Sequence, residues 1–124
     1  MSNRDPKVLF RHMLTHAQEV VILSRGKIRS DLDTDRLLNL ALVRLLEIIG
    51  EAANRVPENI QERFPELPWA QMIGMRNRLI HGYDAVDFDI LWQIVTRDLP
   101  VLIGQLEKIL GEVIKLTNDA SLLP

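Results

Sequence analysis

The residues of this chain that are best suited to chemistry lie in one short segment, RNRLIHGYD, residues 76–84. Arg76 opens it, His81 follows five positions later, and Tyr83 comes two positions after that. An arginine guanidinium can hold a phosphate group through two parallel hydrogen bonds. A histidine can accept or release a proton near neutral pH. The segment therefore predicts chemistry on a phosphodiester.

A guanidinium and an imidazole are the two groups needed to cut an RNA backbone without a metal ion. Imidazole has an unperturbed pKa of about 6.5, so it can take the proton of a 2′-hydroxyl as that oxygen attacks phosphorus. The guanidinium can stabilise the negative charge that builds on the phosphate oxygens. Because the reaction needs a 2′-hydroxyl, we expect RNA rather than DNA as the substrate and a 2′,3′-cyclic phosphate as a product.

The spacing of the two groups raises a geometric difficulty. On a continuous α-helix, Arg76 and His81 would lie about 140° apart around the axis. Asn77 and His81, four positions apart, would instead share a face. Gly82 could let the helix unwind at His81, or twofold symmetry could bring the residues of two chains into one cleft. We favour the second explanation, with or without the first, and so expect a homodimer whose monomer is a poor enzyme.

The apolar residues predict helices along the whole chain, with few alternations of the strand type. Capping residues, glycines and prolines set the expected bounds. These are a helix from residues 5–6 to the glycine at 26, one from 33–34 to about 55, a short helix or turn over 57–64, one from 68 to 80, and a long segment from 88 to about 116. Pro100 should kink or divide the last segment, whose buried side is expected to include Val101 and Leu102.

This pattern predicts an all-α fold, an antiparallel bundle of four main helices plus a short one. The chain has 124 residues, of which 47% are hydrophobic. We expect a single domain over residues 1–117 and a C-terminal tail over 118–124. The sequence has no apolar run of roughly 18 residues and no segment typical of a signal peptide. A cytoplasmic protein without a membrane association is the resulting expectation.

The charge of the chain limits how it could bind nucleic acid. The net charge is -2, with 15 basic and 17 acidic residues. That balance is not typical of proteins that bind nucleic acid by bulk electrostatics. Contact with RNA would have to rest on a small local patch. Arg76, Arg78 and His81 are the candidates, with Arg44 and Arg55 as possible neighbours from another helix. There are no cysteines, which excludes disulfides and thiolate metal sites.

Two groups of polar residues outside the segment have competing interpretations. Glu51 lies in the apolar stretch IIGEAA, where a carboxylate needs a partner. It could pair with Arg76 or Arg78 and orient the arginine, or it could be an ordinary exposed glutamate; we name it as a supporting residue. His12 and His16, four apart, could begin a zinc site. A structural pair is favoured there, and we predict no metal site and no cofactor.

The residues that follow His81 also allow more than one interpretation. Tyr83 is the only tyrosine, and its ring could simply pack at a helix end with the hydroxyl in water. Asp87 is most simply a helix N-cap. Asp84 could hold His81 in one tautomer or could serve the turn.

Two stretches carry a resemblance to a known family. The run MIGMRNRLIHGYDAVDFDILWQIVTRDLP, residues 72–100, resembles the C-terminal half of the HepT-like branch of the HEPN superfamily. The segment LEIIGEAANRVP, residues 46–57, resembles the second helix of that family. The resemblance covers nearly the whole chain and implies a HEPN-type helical bundle that acts as a homodimer.

The resemblance also implies a function. Proteins of this branch are metal-independent endoribonucleases and the toxins of type VII-like toxin–antitoxin modules. Their partner is a small nucleotidyltransferase of the MNT type, which neutralises the toxin by attaching AMP to the tyrosine of the motif. Carried over, Arg76 and His81 become the RNA-cutting pair, Tyr83 becomes the AMP acceptor, and Asn77 matches the polar residue that follows the arginine.

Two other functions stay open at this point. The chain could be a non-catalytic helical binding partner that presents substrate or nucleotide to a small nucleotidyltransferase. It could also be a purely structural dimer. The toxin hypothesis predicts growth arrest and RNA cleavage, both lost on substitution of Arg76 or His81. The other two hypotheses predict neither effect.

Overall fold

The computed structural model describes residues 5–83 and 85–121, with side chains described as far as residue 115. This part of the chain is helical apart from its turns and one small hairpin. The elements are α1 (Pro6–Ser24), α2 (Asp31–Thr34), α3 (Arg36–Arg55), α4 (Glu58–Gln61), α5 (Trp69–Ile73), α6 (Met75–Leu79), β1 (Ile80–His81), β2 (Ala85–Val86), α7 (Phe88–Gln93), a π-helical turn (Ile94–Asp98) and α8 (Leu99–Ser121). The predicted all-α class is confirmed.

The first helix begins where the sequence predicts. The Asp5 carboxylate accepts a hydrogen bond from the Lys7 backbone N–H at 2.9 Å, and Pro6 occupies the first helical position. The buried face of α1 carries Leu9, Phe10, Met13, Ala17 and Val20. This face packs against α3 and α8, so these three helices enclose much of the hydrophobic core.

The central helix α3 begins slightly later than predicted. Asp35 rather than Asp33 or Thr34 is its N-cap, and its carboxylate accepts from the Leu38 N–H at 3.0 Å. The residues before it form the separate short helix α2. Buried Asn39 holds α2 in place, since its side-chain amide donates to the Leu32 carbonyl at 2.9 Å. The end of α3 at Arg55, before Pro57, is as predicted.

The helix predicted over residues 68–80 was wrong in two respects. It is divided at Gly74 into α5 and α6, and it ends at Leu79 rather than Ile80. Ile80 has extended backbone angles and pairs with Val86 in an antiparallel hairpin. Gly82 has a φ of 79°, a conformation that favours glycine, and this allows the chain to reverse.

The last helical segment contains a local change of winding. Asp87 caps α7 by accepting from the Ile90 N–H at 3.0 Å. The π turn follows, in which the Leu99 N–H donates to the Ile94 carbonyl five residues earlier. The widened turn immediately precedes Pro100, which has no N–H to donate. The helix thus accommodates Pro100 through this π turn, where the sequence predicted a kink or a division.

The π turn also corrects the predicted buried side of this segment. Val101 is 62% exposed, although a regular helical spacing places it with Ile94 on the core face. The wide turn adds one residue, so the core face passes to Leu102, which is buried as predicted. α8 continues to Ser121, past the expected end near residue 116. None of the helices within the described ranges is long and apolar enough to cross a bilayer.

Candidate active site

Arg76 lies on α6 and extends toward α3. Its side chain is 73% exposed, and its Nε lies 3.9 Å from Oε2 of Glu47, whose side chain is only 17% exposed. Beside this pair is a pocket of about 230 Å³ between the two helices. The lining residues are Glu47, Gly50, Glu51, Asn54, Ile73, Met75 and Arg76. The guanidinium is therefore accessible to a ligand, while its Nε faces the carboxylate of Glu47.

Of the two interpretations of Glu51, the structure favours an exposed glutamate over a partner of Arg76 or Arg78. Glu51 pairs with Arg44 of its own helix, with Oε1 and Nη1 3.2 Å apart, and it does not pair with Arg76 or Arg78. The carboxylate nearest Arg76 is that of Glu47, one helical turn earlier. Sequence reasoning missed Glu47 because residues four apart share a helix face, so spacing alone does not select between them. Glu51 lines the pocket without contacting the arginine.

The basic patch expected around Arg76, Arg78 and His81 is divided. Arg78 lies 3.6 Å from Asp98 of the π turn and lines a different pocket, of about 270 Å³, between α5–α6 and α8. Asn77 is exposed on α6. Because the helix ends at Leu79, Asn77 and His81 do not share a helical face.

His81 lies on the small hairpin rather than on a helix. It forms the last position of β1, directly opposite Ala85, and its side chain is 59% exposed. Its Nε2 lies 3.9 Å from Oδ2 of Asp87. The helix does unwind at this point, since α6 ends at Leu79, before His81. On a continuous helix, the imidazole would point away from Arg76. Because His81 lies outside the helix, that constraint does not apply.

Arg76 and His81 contact different carboxylates within one chain. The arginine pairs with Glu47 on α3, and the histidine pairs with Asp87 at the start of α7. His81 does not line the pocket beside Arg76. One chain therefore presents the two groups side by side along the sequence but in separate local environments.

Tyr83 follows Gly82 in the loop of the hairpin, and its side chain is fully exposed. A phenol in that position is reachable by a large partner. Within one copy of the chain, the ring does not pack against the described residues. Asp84, named as a possible partner of His81, lies outside the described residues.

The two histidines of α1 are engaged locally. His16 Nδ1 lies 2.6 Å from Oε1 of Glu19, and the rings of His12 and His16 are 6.3 Å apart. Among the described side chains, no group of three or more His, Asp or Glu residues is placed to hold a metal ion.

A sequence model of the ribonuclease HepT-like family matches residues 13–109. The chain belongs to the HepT-like ribonuclease family. The matched range contains α3, α5, α6, the hairpin and α7, and so every residue of the candidate site. Members of this HEPN-type family are ribonucleases, which implies RNA as the substrate.

Known relatives of this HepT-like chain carry names of the same kind. A Methanocaldococcus jannaschii protein named "putative RNase" is 36% identical over 107 residues, 86% of this chain and 98% of the relative. One from Caldanaerobacter subterraneus subsp. tengcongensis, also named "putative RNase", is 34% identical over 107 residues, 86% and 96% of the two chains. A Thermococcus cleftensis protein named "probable ribonuclease HepT" is 44% identical over 75 residues, which cover 60% of this chain and 68% of the relative. No solved structure matches the chain.

Proposed function

We propose that this chain is a metal-independent endoribonuclease that cuts RNA with Arg76 and His81 and acts as the toxin of a two-gene module. One observation carries the proposal. In a chain of a ribonuclease family, consecutive elements present a guanidinium that is 73% exposed and an imidazole that is 59% exposed. Both groups are thus accessible to a polymer, and their chemistry matches the transesterification of RNA.

The reaction follows from these two groups. The ribose 2′-oxygen forms a bond to phosphorus while a ring nitrogen of His81 accepts its proton. The bond from phosphorus to the 5′-oxygen breaks, and that oxygen takes up a proton from water. The products are a 2′,3′-cyclic phosphate and a 5′-hydroxyl end. Arg76 lowers the barrier by binding the phosphate oxygens as their negative charge increases.

The complete site is formed by two copies of the chain. Within one copy, Arg76 and His81 are held by different carboxylates on different elements. A twofold axis would place Arg76 of one copy beside His81 of the other. This arrangement resolves the spacing of five residues and makes the homodimer the active species.

Tyr83 is the point of control in this proposal. A nucleotidyltransferase partner transfers AMP from ATP: the phenolic oxygen bonds to the α-phosphorus and pyrophosphate leaves. The full exposure of Tyr83 and its position two residues from His81 support this role. AMP attached there adds a phosphate anion next to the site, where it competes with the RNA phosphate.

RNA cleavage by the purified protein in the presence of a chelator tests the proposed activity. The wild-type chain should cut single-stranded RNA and leave a cyclic phosphate. Arg76→Ala and His81→Ala should each reduce the rate by about 100-fold or more. An oligonucleotide with a 2′-deoxyribose at the cut position should resist cleavage, because it lacks the nucleophile.

Matched variants make the result specific. Arg11→Ala and His12→Ala remove the same residue types from α1 and should retain wild-type activity. A wild-type protein that binds RNA or a nucleotidyltransferase but cleaves no RNA would contradict the proposal and favour the non-catalytic binding partner. Cleavage that the chelator abolishes would contradict its metal independence.

Co-expression with a nucleotidyltransferase of the MNT type tests the control step. The wild-type chain should gain the mass of AMP on Tyr83 and lose its effect on growth. Tyr83→Phe should remain unmodified and continue to stop growth, and its folding should be unchanged because the side chain is fully exposed. Neutralisation of Tyr83→Phe without modification would argue against this step.

A further inference from the structure

We propose that Asp87 is a positioning residue for His81: one carboxylate oxygen caps α7, and the other faces Nε2, accepts its N–H in the substrate complex and leaves Nδ1 as the basic nitrogen. This inference rests on the proposed role of His81 as the proton acceptor. It assigns Asp87 a second role beyond the helix cap that its sequence position suggests. It also assigns the two ring nitrogens different tasks.

The register of the hairpin places the two side chains on one face. His81 pairs with Ala85, and Asp87, the N-cap of α7 directly after β2, occupies the position of a diagonal neighbour just beyond the ladder. Diagonal neighbours in an antiparallel pair are within reach of long side chains. Ile80 and Val86 alternate to the other face, where they pack against the core. The contact between His81 and Asp87 is therefore a consequence of the strand pairing.

The Asp87 carboxylate is held from several sides. Its backbone N–H donates to the carbonyl of Leu79 at 2.8 Å, and Leu79 is fully buried. Its Oδ1 accepts from the Ile90 N–H at 3.0 Å. With the backbone and one oxygen fixed, Oδ2 is left directed at His81 Nε2, 3.9 Å away. Asp87 thus connects the end of α6, which carries Arg76, to the start of α7.

The two atoms are 3.9 Å apart, which is longer than a hydrogen bond. Catalytic hydrogen bonds are commonly long in a free enzyme and shorten in the substrate complex. A carboxylate beside one ring nitrogen fixes the tautomer in which that nitrogen carries the proton. The opposite nitrogen then holds the free lone pair that accepts the proton of the 2′-hydroxyl. The same carboxylate stabilises the imidazolium after transfer.

The chain allows the two roles of Asp87 to be separated. Asparagine and serine cap helices about as well as aspartate. Asp87→Asn keeps the capping oxygen and places an NH2 donor opposite Nε2, which reverses the preferred tautomer. Asp87→Ser keeps a capping oxygen and removes the group facing the imidazole. Asp35→Asn, at the N-cap of α3, is the matched control for a change of cap alone.

Two measurements on the intact chain test the proposal. Imidazole 15N NMR should show His81 protonated at Nε2 in the wild type and predominantly at Nδ1 in Asp87→Asn, with His81→Ala identifying the signal. Rates of RNA cleavage should fall about 10- to 100-fold in kcat for Asp87→Asn and less for Asp87→Ser, with KM little changed. Asp35→Asn should match the wild type in both measurements.

The outcomes keep this inference apart from the proposed function. A wild-type His81 protonated at Nδ1, or a tautomer that Asp87→Asn leaves unchanged, would overturn the positioning role whether or not RNA is cut. An unchanged kcat in Asp87→Asn would also overturn it. A wild-type chain that cuts no RNA refutes the proposed function instead, and the role of Asp87 in fixing the tautomer is then decided by the NMR measurement.

Discussion

Glu47 and Glu51 lie one helical turn apart on α3, but only Glu47 faces Arg76. Glu47 is largely buried, so its carboxylate has few alternative positions, whereas the Glu51–Arg44 pair is more than half exposed on both sides. We expect Glu47→Gln to reduce kcat/KM for RNA cleavage several-fold, because Arg76 loses the charge that orients its Nε. Stability should change by less than about 1 kcal/mol, because Arg76 is mostly exposed and water screens its charge.

Glu51→Gln is the matched comparison for that substitution. It removes the same charge from the same helix face and the same pocket, but the ion pair it breaks is with Arg44. Its cleavage kinetics should equal those of the wild type. If Glu51→Gln impairs cleavage as strongly as Glu47→Gln, the orientation of Arg76 does not depend on its contact with Glu47, and Glu51 would be a supporting residue, one of the two alternatives that the sequence left open.

The position of the arginine also depends on how closely α3 approaches α5. A Cβ added to Gly50 would lie 2.5 Å from the backbone carbonyl oxygen of Met72, a distance at which the backbone must move. Gly50→Ala should therefore lower the free energy of unfolding by about 1–3 kcal/mol, the usual cost of overpacking. RNA cleavage should fall too, because α5 and α6 move together with Arg76. Urea denaturation and the cleavage assay measure the two effects.

Gly104 gives the control for this substitution. It lies on the exposed side of α8, and an added Cβ would meet nothing within 4 Å. Gly104→Ala should raise stability by up to about 1 kcal/mol, because alanine loses less conformational freedom in a helix than glycine. A Gly50→Ala protein that is as stable as Gly104→Ala would show that the approach of α3 to α5 is not constrained.

Elements with strong local signals could be predicted from the sequence, and elements set by tertiary contacts could not. Asp5 before Pro6, Pro57 and Asp87 mark helix ends through capping and proline chemistry that depends only on neighbouring residues. The two-residue strands of the hairpin carry no period that a sequence pattern can display. The π turn before Pro100 shifts the core face by one residue, which a regular helical period does not anticipate.

The same distinction applies to the candidate site. Arg76 and His81 were predicted from residue type and spacing together with the resemblance to the family, and Tyr83 was predicted from the resemblance. Their surroundings were not, because Glu47 was selected over Glu51 by the packing of α6 on α3. The contact of Asp87 with His81 depends on a ladder register that only the folded hairpin defines.

At the scale of the whole molecule, the weak net charge makes local geometry decisive. The chain carries a net charge of -2, so RNA gains little from the overall field of the protein. Arg78, which could have extended the basic surface around Arg76, is paired with Asp98 on another side of α6. A site with so few cations depends on placing them accurately, which favours the proposed assembly from two copies.

Complementation between two inactive variants tests that assembly directly. If each site takes Arg76 from one copy and His81 from the other, a dimer of one Arg76→Ala chain and one His81→Ala chain contains one intact site and one doubly defective site. A random 1:1 mixture, prepared by co-expression with two tags, should then recover about a quarter of the wild-type activity, since half of the dimers are mixed and half of their sites work. Tandem purification of the mixed species should raise this to about half. Mixed dimers that stay inactive, together with an active wild type, would place both groups of each site in one chain.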